Sequence, residues 1–173
     1  FRIVYCGILQ PKKGTHYLLE AFSELNLKNA ELCLIGSVSE EIAPFMRQYE
    51  GSYKHFGFIN NTELYKYYSQ GSVFVIPSLE EGLAKVIIEA MACGLPVIGS
   101  VNTGAEDVVR NGLDGFVVPI RDKEVLKEKI LFMYENRDKC SAMGESAKAR
   151  VHDEYTLDRY VERLLGAYSA ILA

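Results

Sequence analysis

Glu81 and Glu89 stand eight positions apart, on either side of a change in local character. Ahead of them, Ser72-Val73-Phe74-Val75-Ile76-Pro77 is a β-branched and aromatic run closed by proline, which predicts a buried strand ending at a turn. Glu80-Glu81-Gly82 is then a loop. From Ala84 to Cys93 the residues are strong helix formers, stopped by Gly94 just ahead of Pro96. A helix that starts directly after a strand points its free N–H groups at the carboxyl edge of the sheet, where they can hold a phosphate. Val86, Ile87, Ile88, Ala90, Met91, Ala92 and Cys93 make this helix apolar nearly all round, which predicts burial on more than one side. A carboxylate in such a helix must be paired or stay near solvent. Either Glu89 pairs with Lys85 one turn back, or Glu81 and Glu89 accept hydrogen bonds from the hydroxyls of a polyol such as ribose or a hexose.

The elements that position these residues follow from the rest of the pattern. Arg2 to Cys6, Glu31 to Ile35, a weaker Lys54 to Phe58, Pro96 to Ser100 and Phe116 to Val118 read as further strands. Helical spacing runs from Gly14 to Leu27. Glu40 to Tyr49 follows as a helix with Pro44 in its first turns, and another helix capped by Asn61 or Thr62 reaches about Gln70. Ala105 to Arg110 is a short helix, and from Asp122 the chain is helical, punctuated by Asp138, Asp153 and Thr156. Strands alternating with helices predict an α/β fold, a Rossmann-like doubly wound parallel sheet of about six strands with helices on both faces and a helical C-terminus, in one domain spanning 1–173. In such a sheet the strand order reverses beside strand one, so the loops after strands one and four face one crevice. The loop Gly7-Ile8-Leu9-Gln10-Pro11-Lys12-Lys13-Gly14 therefore faces Glu81 and Gly82. Lys13 is placed to meet a diphosphate as a point charge, or is simply a solvated surface lysine.

Glu81-Gly82-x-x-x-Val86-x-x-Glu89-Ala90-Met91-Ala92-Cys93-Gly94-x-Pro96-Val97-Ile98 resembles the glutamate, seven residues, glutamate motif of retaining GT-B glycosyltransferases of the large group 1 family. The similarity extends over nearly the whole chain and is to the C-terminal, nucleotide-sugar-binding domain. Leu83 and Ala84 stand where phenylalanine and glycine are common, and Lys85 where an apolar residue is usual. Gly7 to Gly14 resembles the family's glycine-arginine-leucine and lysine-glycine signature, with Ile8 in place of arginine. The resemblance implies that Glu89 holds ribose hydroxyls and Glu81 the transferred hexose. It implies that Lys13 and the N–H groups of Leu83, Ala84 and Lys85 stabilise the departing diphosphate, and that Gly7 and Gly82 line the same donor surface. Gly57-Phe58-Ile59 looks like the family's base-packing turn, the alternative being ordinary core. Asn102-Thr103-Gly104-Ala105-Glu106 matches the family's glycine-glycine-x-x-glutamate turn in part. Gly104 there would let backbone approach the donor sugar, while Glu106 would serve either the site or the helix dipole. His55 reads as a structural histidine.

Composition bounds the alternatives. The net charge is −4 and neither sign forms a block, which argues against nucleic-acid binding. No apolar run approaches the ~20 residues that span a bilayer, and no signal-peptide pattern opens the chain. Cys6, Cys33, Cys93 and Cys140 lack metal-type spacing and read as buried, reduced thiols of a cytosolic protein. No aspartate-x-aspartate or histidine cluster suggests a metal, and no cofactor is expected beyond the nucleotide-diphosphate sugar as substrate. Phe1 already lies in a strand-like run, so the chain reads as a piece of a longer enzyme whose N-terminal acceptor domain is absent. That domain would be its partner, any peripheral contact with the inner membrane face would run through it, and the fragment alone would bind donor without transferring sugar. The alternatives are half of a GT-B-type sugar epimerase or phosphorylase, or a non-catalytic nucleotide-sugar-binding module. Gly7 to Gly14 does not spell the glycine pattern of a dehydrogenase.

Overall fold

The computed structural model describes residues 1–172. The apolar runs form six parallel strands, β1 (Arg2–Cys6), β2 (Glu31–Ile35), β3 (Lys54–His55), β4 (Val73–Ile76), β5 (Val97–Ser100) and β6 (Gly115–Val118), in the order β3-β2-β1-β4-β5-β6. The order reverses at β1, where Ile3 lies between Leu32 of β2 and Val73 of β4. This is the crevice-forming arrangement that the sequence predicts.

Both faces of the sheet are covered, which is why the strands are apolar at consecutive positions. Ile3, Tyr5, Leu32, Leu34, Val73 and Val75 pack under α1 (Thr15–Leu25), α2 (Ala43–Arg47) and α6 (Lys123–Glu135). Val4, Cys6, Cys33, Ile35, Phe74 and Ile76 pack under α3 (Asn61–Tyr68), α4 (Lys85–Ala92), α5 (Ala105–Val108) and α7 (Arg137–Glu154). Each fully buried Leu, Ile or Phe in these layers contributes about 1.5–3 kcal/mol against exposure. Asp122 caps α6 by accepting from the N–H of Val125 at 2.9 Å.

Several expectations are corrected. β3 keeps only two residues, both exposed at the sheet edge, and Gly57 turns the chain away at φ +64°. The helix expected from Glu40 to Tyr49 is reduced to α2. The N-cap of α3 is Asn60, so neither Asn61 nor Thr62 caps it, and Asn61 is free for other work. The long C-terminal helical stretch breaks at Asn136, two residues before Asp138, and again at Tyr155 and Thr156 ahead of α8 (Leu157–Leu172). α4 ends at Cys93 with Gly94 at φ +83°, as its glycine and proline predict, but it is not buried all round. Ile87, Ala90 and Met91 are buried, whereas Lys85 and Ala92 are exposed. α8 buries none of its residues and carries an exposed apolar stripe that includes Leu157, Tyr160, Leu165 and Ile171.

Candidate functional site

Three loops meet above the carboxyl edge of the sheet. The loop after β1 makes a short 3-10 turn at Pro11–Lys13 and closes at Gly14 with φ +67°. A Cβ on Gly14 would lie 1.9 Å from the carbonyl oxygen of Pro77, so only glycine lets this loop approach the one after β4. The N–H of Leu79 donates to the carbonyl of Lys12 at 2.9 Å, which fixes the two loops together. On the other side the N–H groups of Glu81 and Ala84 donate to the carbonyls of Asn102 and Thr103 in the loop after β5, at 2.7 and 3.1 Å. Glu106 steadies that third loop by accepting from the N–H of Asn102 at 3.0 Å.

This frame brings Lys13 and Glu81 together. Lys13 Nζ donates to Glu81 Oε1, and both side chains are about four-fifths shielded, at 20% and 18% exposure. Ser78 Oγ donates to the same carboxylate oxygen at 3.1 Å, and the buried Ser100 hydroxyl in turn donates to the carbonyl of Ser78. Glu81 is thus held by a cation and a hydroxyl whose backbone is itself fixed. Lys12 and Glu80 repeat the pairing at 3.1 Å on the exposed rim.

Glu89 is held differently. Asn61 Nδ2 donates to Glu89 Oε1 at 3.2 Å, and the Tyr68 hydroxyl donates to Oε2 at 3.4 Å. Burial, reinforced by the neighbouring Cys6 thiol and the Glu89 carboxylate, pushes the Tyr68 phenol far above its ordinary value, so it stays protonated as a donor. Lys85 makes no ion pair among the described residues, so the pairing of Lys85 with Glu89 is not found.

Beside Glu89 lies a cleft of about 350 Å³ bordered by Gly7, Ile8, Gly36, Phe58, Ile59 and Asn61, among others. Its wall is tied by the N–H of Gly36 donating to the carbonyl of Gly57 at 2.7 Å and by His55 Nε2, 2.7 Å from the Gly36 carbonyl. Phe58 is 81% exposed and so is not ordinary core, while Ile59 is half-buried. Gly82 and Leu83 are exposed at the crevice. Gly104, at φ +74°, leaves no room for a Cβ, which would meet Leu83 Cδ1 at 2.7 Å and the Gly82 carbonyl at 3.1 Å. Packing of the glycine loop on Gly104 therefore accounts for that residue. The N–H of Ala84, read from sequence as a phosphate donor, is already taken by Thr103, whereas those of Leu83 and Lys85 have no partner among the described residues.

Sequence reasoning missed Asn61, Tyr68 and Ser78 as supports of the two carboxylates. The spacing of Asn61, Leu64 and Tyr68 along one helix face was the available signal for two of them. Cys6, Cys33 and Cys140 are buried and all four cysteines are free. Burial pushes the Cys140 thiol up to about 11 and raises the other three as well. Among the described residues no group of three or more His, Cys, Asp or Glu could hold a metal ion, and no helix is long and apolar enough to cross a membrane.

Comparison with known proteins agrees with this architecture. Residues 1–150 match the family model of glycosyl transferases group 1. The chain is 32% identical over 181 aligned residues to the capsular polysaccharide biosynthesis glycosyltransferase CapM of Staphylococcus aureus, covering 99% of this chain and 47% of CapM. Sucrose-phosphate synthase of Thermosynechococcus elongatus superposes with a TM-score of 0.87 at 26% identity, over 99% of this chain and 45% of that one. HepE of Anabaena, solved with UDP and glucose, superposes with a TM-score of 0.85 at 21% identity, over 98% of this chain and 48% of that one. The chain thus spans about half the length of these relatives.

Proposed function

The chain belongs to the group 1 glycosyl transferases, and we propose that it is the donor-binding domain of a retaining enzyme that moves a hexose from a nucleotide-diphosphate sugar to an acceptor. The observation that carries this reading is the placing of the Lys13–Glu81 pair, the polar-held Glu89 and the mostly apolar cleft along one sheet edge. The nucleobase lies in the cleft against Phe58 and Ile59, with Gly7 opposite. Glu89 receives the ribose hydroxyls, and Glu81 receives hydroxyls of the hexose. Lys13 and the N–H groups of Leu83 and Lys85, unpaired among the described residues, meet the diphosphate at the edge of Gly82. Negative charge grows on the diphosphate as it leaves, so positive groups fixed in advance lower the barrier at that step. These groups supply the charge themselves.

The acceptor site belongs to the half of the enzyme that this chain does not cover, and the GT-B site closes between the two domains. CapM's part in capsular polysaccharide biosynthesis favours a polysaccharide as the eventual product. Four free thiols and a nucleotide-sugar donor fit the cytoplasm, and any contact with the inner membrane face would run through the other domain.

Thermal-shift and calorimetric screening against UDP, GDP and ADP and their sugars tests the reading, UDP first because HepE was solved with it. One nucleotide series at a hundred times its Kd should stabilise the chain by about 2.7 kcal/mol. Glu89→Gln should weaken that binding by about 1–3 kcal/mol with the fold intact, the range for a hydrogen bond to a charged group. Binding of none of the series rejects the reading.

A further inference from the structure

Resting on the donor-site reading, we infer that Asn61 is a specificity residue for the nucleoside: it orients Glu89 and offers its own amide oxygen to the same vicinal diol. Asn61, Leu64 and Tyr68 fall at spacings of three and four residues and so share one face of α3. Leu64 and Tyr68 are the buried residues of that helix, so the shared face is the one turned toward α4. The helix does not use Asn61 for itself. Asn60 is the N-cap, and the Asn61 side chain reaches across 28 positions to Glu89.

The chemistry of the contact fixes the amide. A carboxylate only accepts, so the NH₂ end of Asn61 must face Glu89 and the planar amide turns Oδ1 away from it. Asn61 also borders the cleft together with Gly7, Gly36 and Phe58, and its Oδ1 has no partner among the described residues. Each oxygen of Glu89 accepts one bond from a neutral donor, Asn61 on Oε1 and Tyr68 on Oε2. Each keeps a further lone pair, and neither makes an ion pair among the described residues that would compete with a ligand hydroxyl. Two half-satisfied carboxylate oxygens beside an unpaired amide oxygen form a surface that sets three acceptors side by side. Its complement is a pair of adjacent hydroxyls, so the ligand is a ribonucleoside rather than a 2′-deoxyribonucleoside. The Tyr68 contact, at 3.4 Å, is the longer of the two, which leaves Asn61 as the tighter constraint on the carboxylate.

Calorimetry on the 173-residue chain tests this with UDP, GDP and ADP and the 2′-deoxy counterpart of whichever binds most tightly. Asn61→Ala should weaken the ribonucleotide by roughly 5- to 100-fold and leave the 2′-deoxy nucleotide within about threefold, so that discrimination collapses. In a Glu89→Gln background the same substitution should cost several-fold less than in the native chain, because the part of its effect that runs through Glu89 is gone. Asn61 is exposed, so its loss should leave the melting temperature in place. Equal losses for ribo- and deoxyribonucleotide, losses that add to those of Glu89→Gln, or unchanged affinity overturn the role of Asn61 while the donor reading stands. A native chain that binds no nucleotide defeats both.

Discussion

Lys13 and Glu81, 68 positions apart in sequence, form an ion pair at the point where the loops after β1 and β4 are bonded together. The pair holds a cation and a carboxylate side by side, one suited to a diphosphate and the other to sugar hydroxyls. Lys13→Ala should weaken nucleoside diphosphate binding by about 1–3 kcal/mol, yet lower the unfolding free energy by only about 0–1 kcal/mol because the pair keeps some solvent access. Calorimetry and denaturant titration measure the two numbers separately. A large stability loss with unchanged affinity would make the pair structural.

Much of this frame was legible in the sequence. β1 and β2 end where predicted because Gly7 and Gly36 close their apolar runs, and the crevice follows from parallel α/β connectivity. What escaped the sequence depends on tertiary distance. Asn61 looked like a cap because asparagine favours that position, and nothing local shows that Asn60 takes the role while Asn61 reaches Glu89. The N–H of Ala84 looked free because its partner, the Thr103 carbonyl, lies in another loop. α4 looked buried all round because its composition is apolar, but the fold leaves Lys85 and Ala92 on the surface.

Asp114 gives a stability prediction with a pH sign. It is fully buried and accepts from Arg110 Nε and Nη2, each at 2.7 Å, and from the Ser146 hydroxyl at 2.7 Å. Burial alone would raise its pKa, but the Arg110 and Ser146 bonds outweigh it and hold the carboxyl below its ordinary value. A depressed native pKa means stability that is present above the unfolded value and lost as pH falls through the native one. Asp114→Ala should destabilise by about 1–3 kcal/mol, the range for lost hydrogen bonds to a charged group, because the exposed Arg110 regains water when its partner is removed. In denaturant titrations the gap between native protein and Asp114→Asn should be widest above about pH 5 and narrow below about pH 4. A gap that ignores pH would contradict the charged network.

α8 contributes no residue to the buried core. Its apolar stripe is exposed along its length and no residue of it is buried, the kind of surface that marks an interaction site. Removing 157–173 should change the unfolding free energy by less than about 1 kcal/mol and leave nucleotide affinity unaltered. The 173-residue chain should bind donor and transfer no sugar to any acceptor. Transfer detected from radiolabelled donor by this chain alone would reject the two-domain reading.

The last prediction joins Ile8 and Lys85. Ile8 borders the cleft and is 50% exposed, at the position where the family resemblance leads to an expectation of arginine. Lys85 is the first residue of α4, exposed and without an ion pair among the described residues, while Glu81 is engaged by Lys13 and Glu89 by Asn61 and Tyr68. A lysine in the first turn opposes the helix dipole and costs a few tenths of a kcal/mol unless an anion lies near. The proposed diphosphate is such an anion, so the hypothesis is that Lys85 restores the charge missing at position 8 and works alongside Lys13. Coupled sites give non-additive effects, so a double-mutant cycle decides. Lys85→Ala should weaken diphosphate binding in the native chain, and much less in an Ile8→Arg background. Equal losses in both backgrounds, or none in either, would show that Lys85 does not compensate.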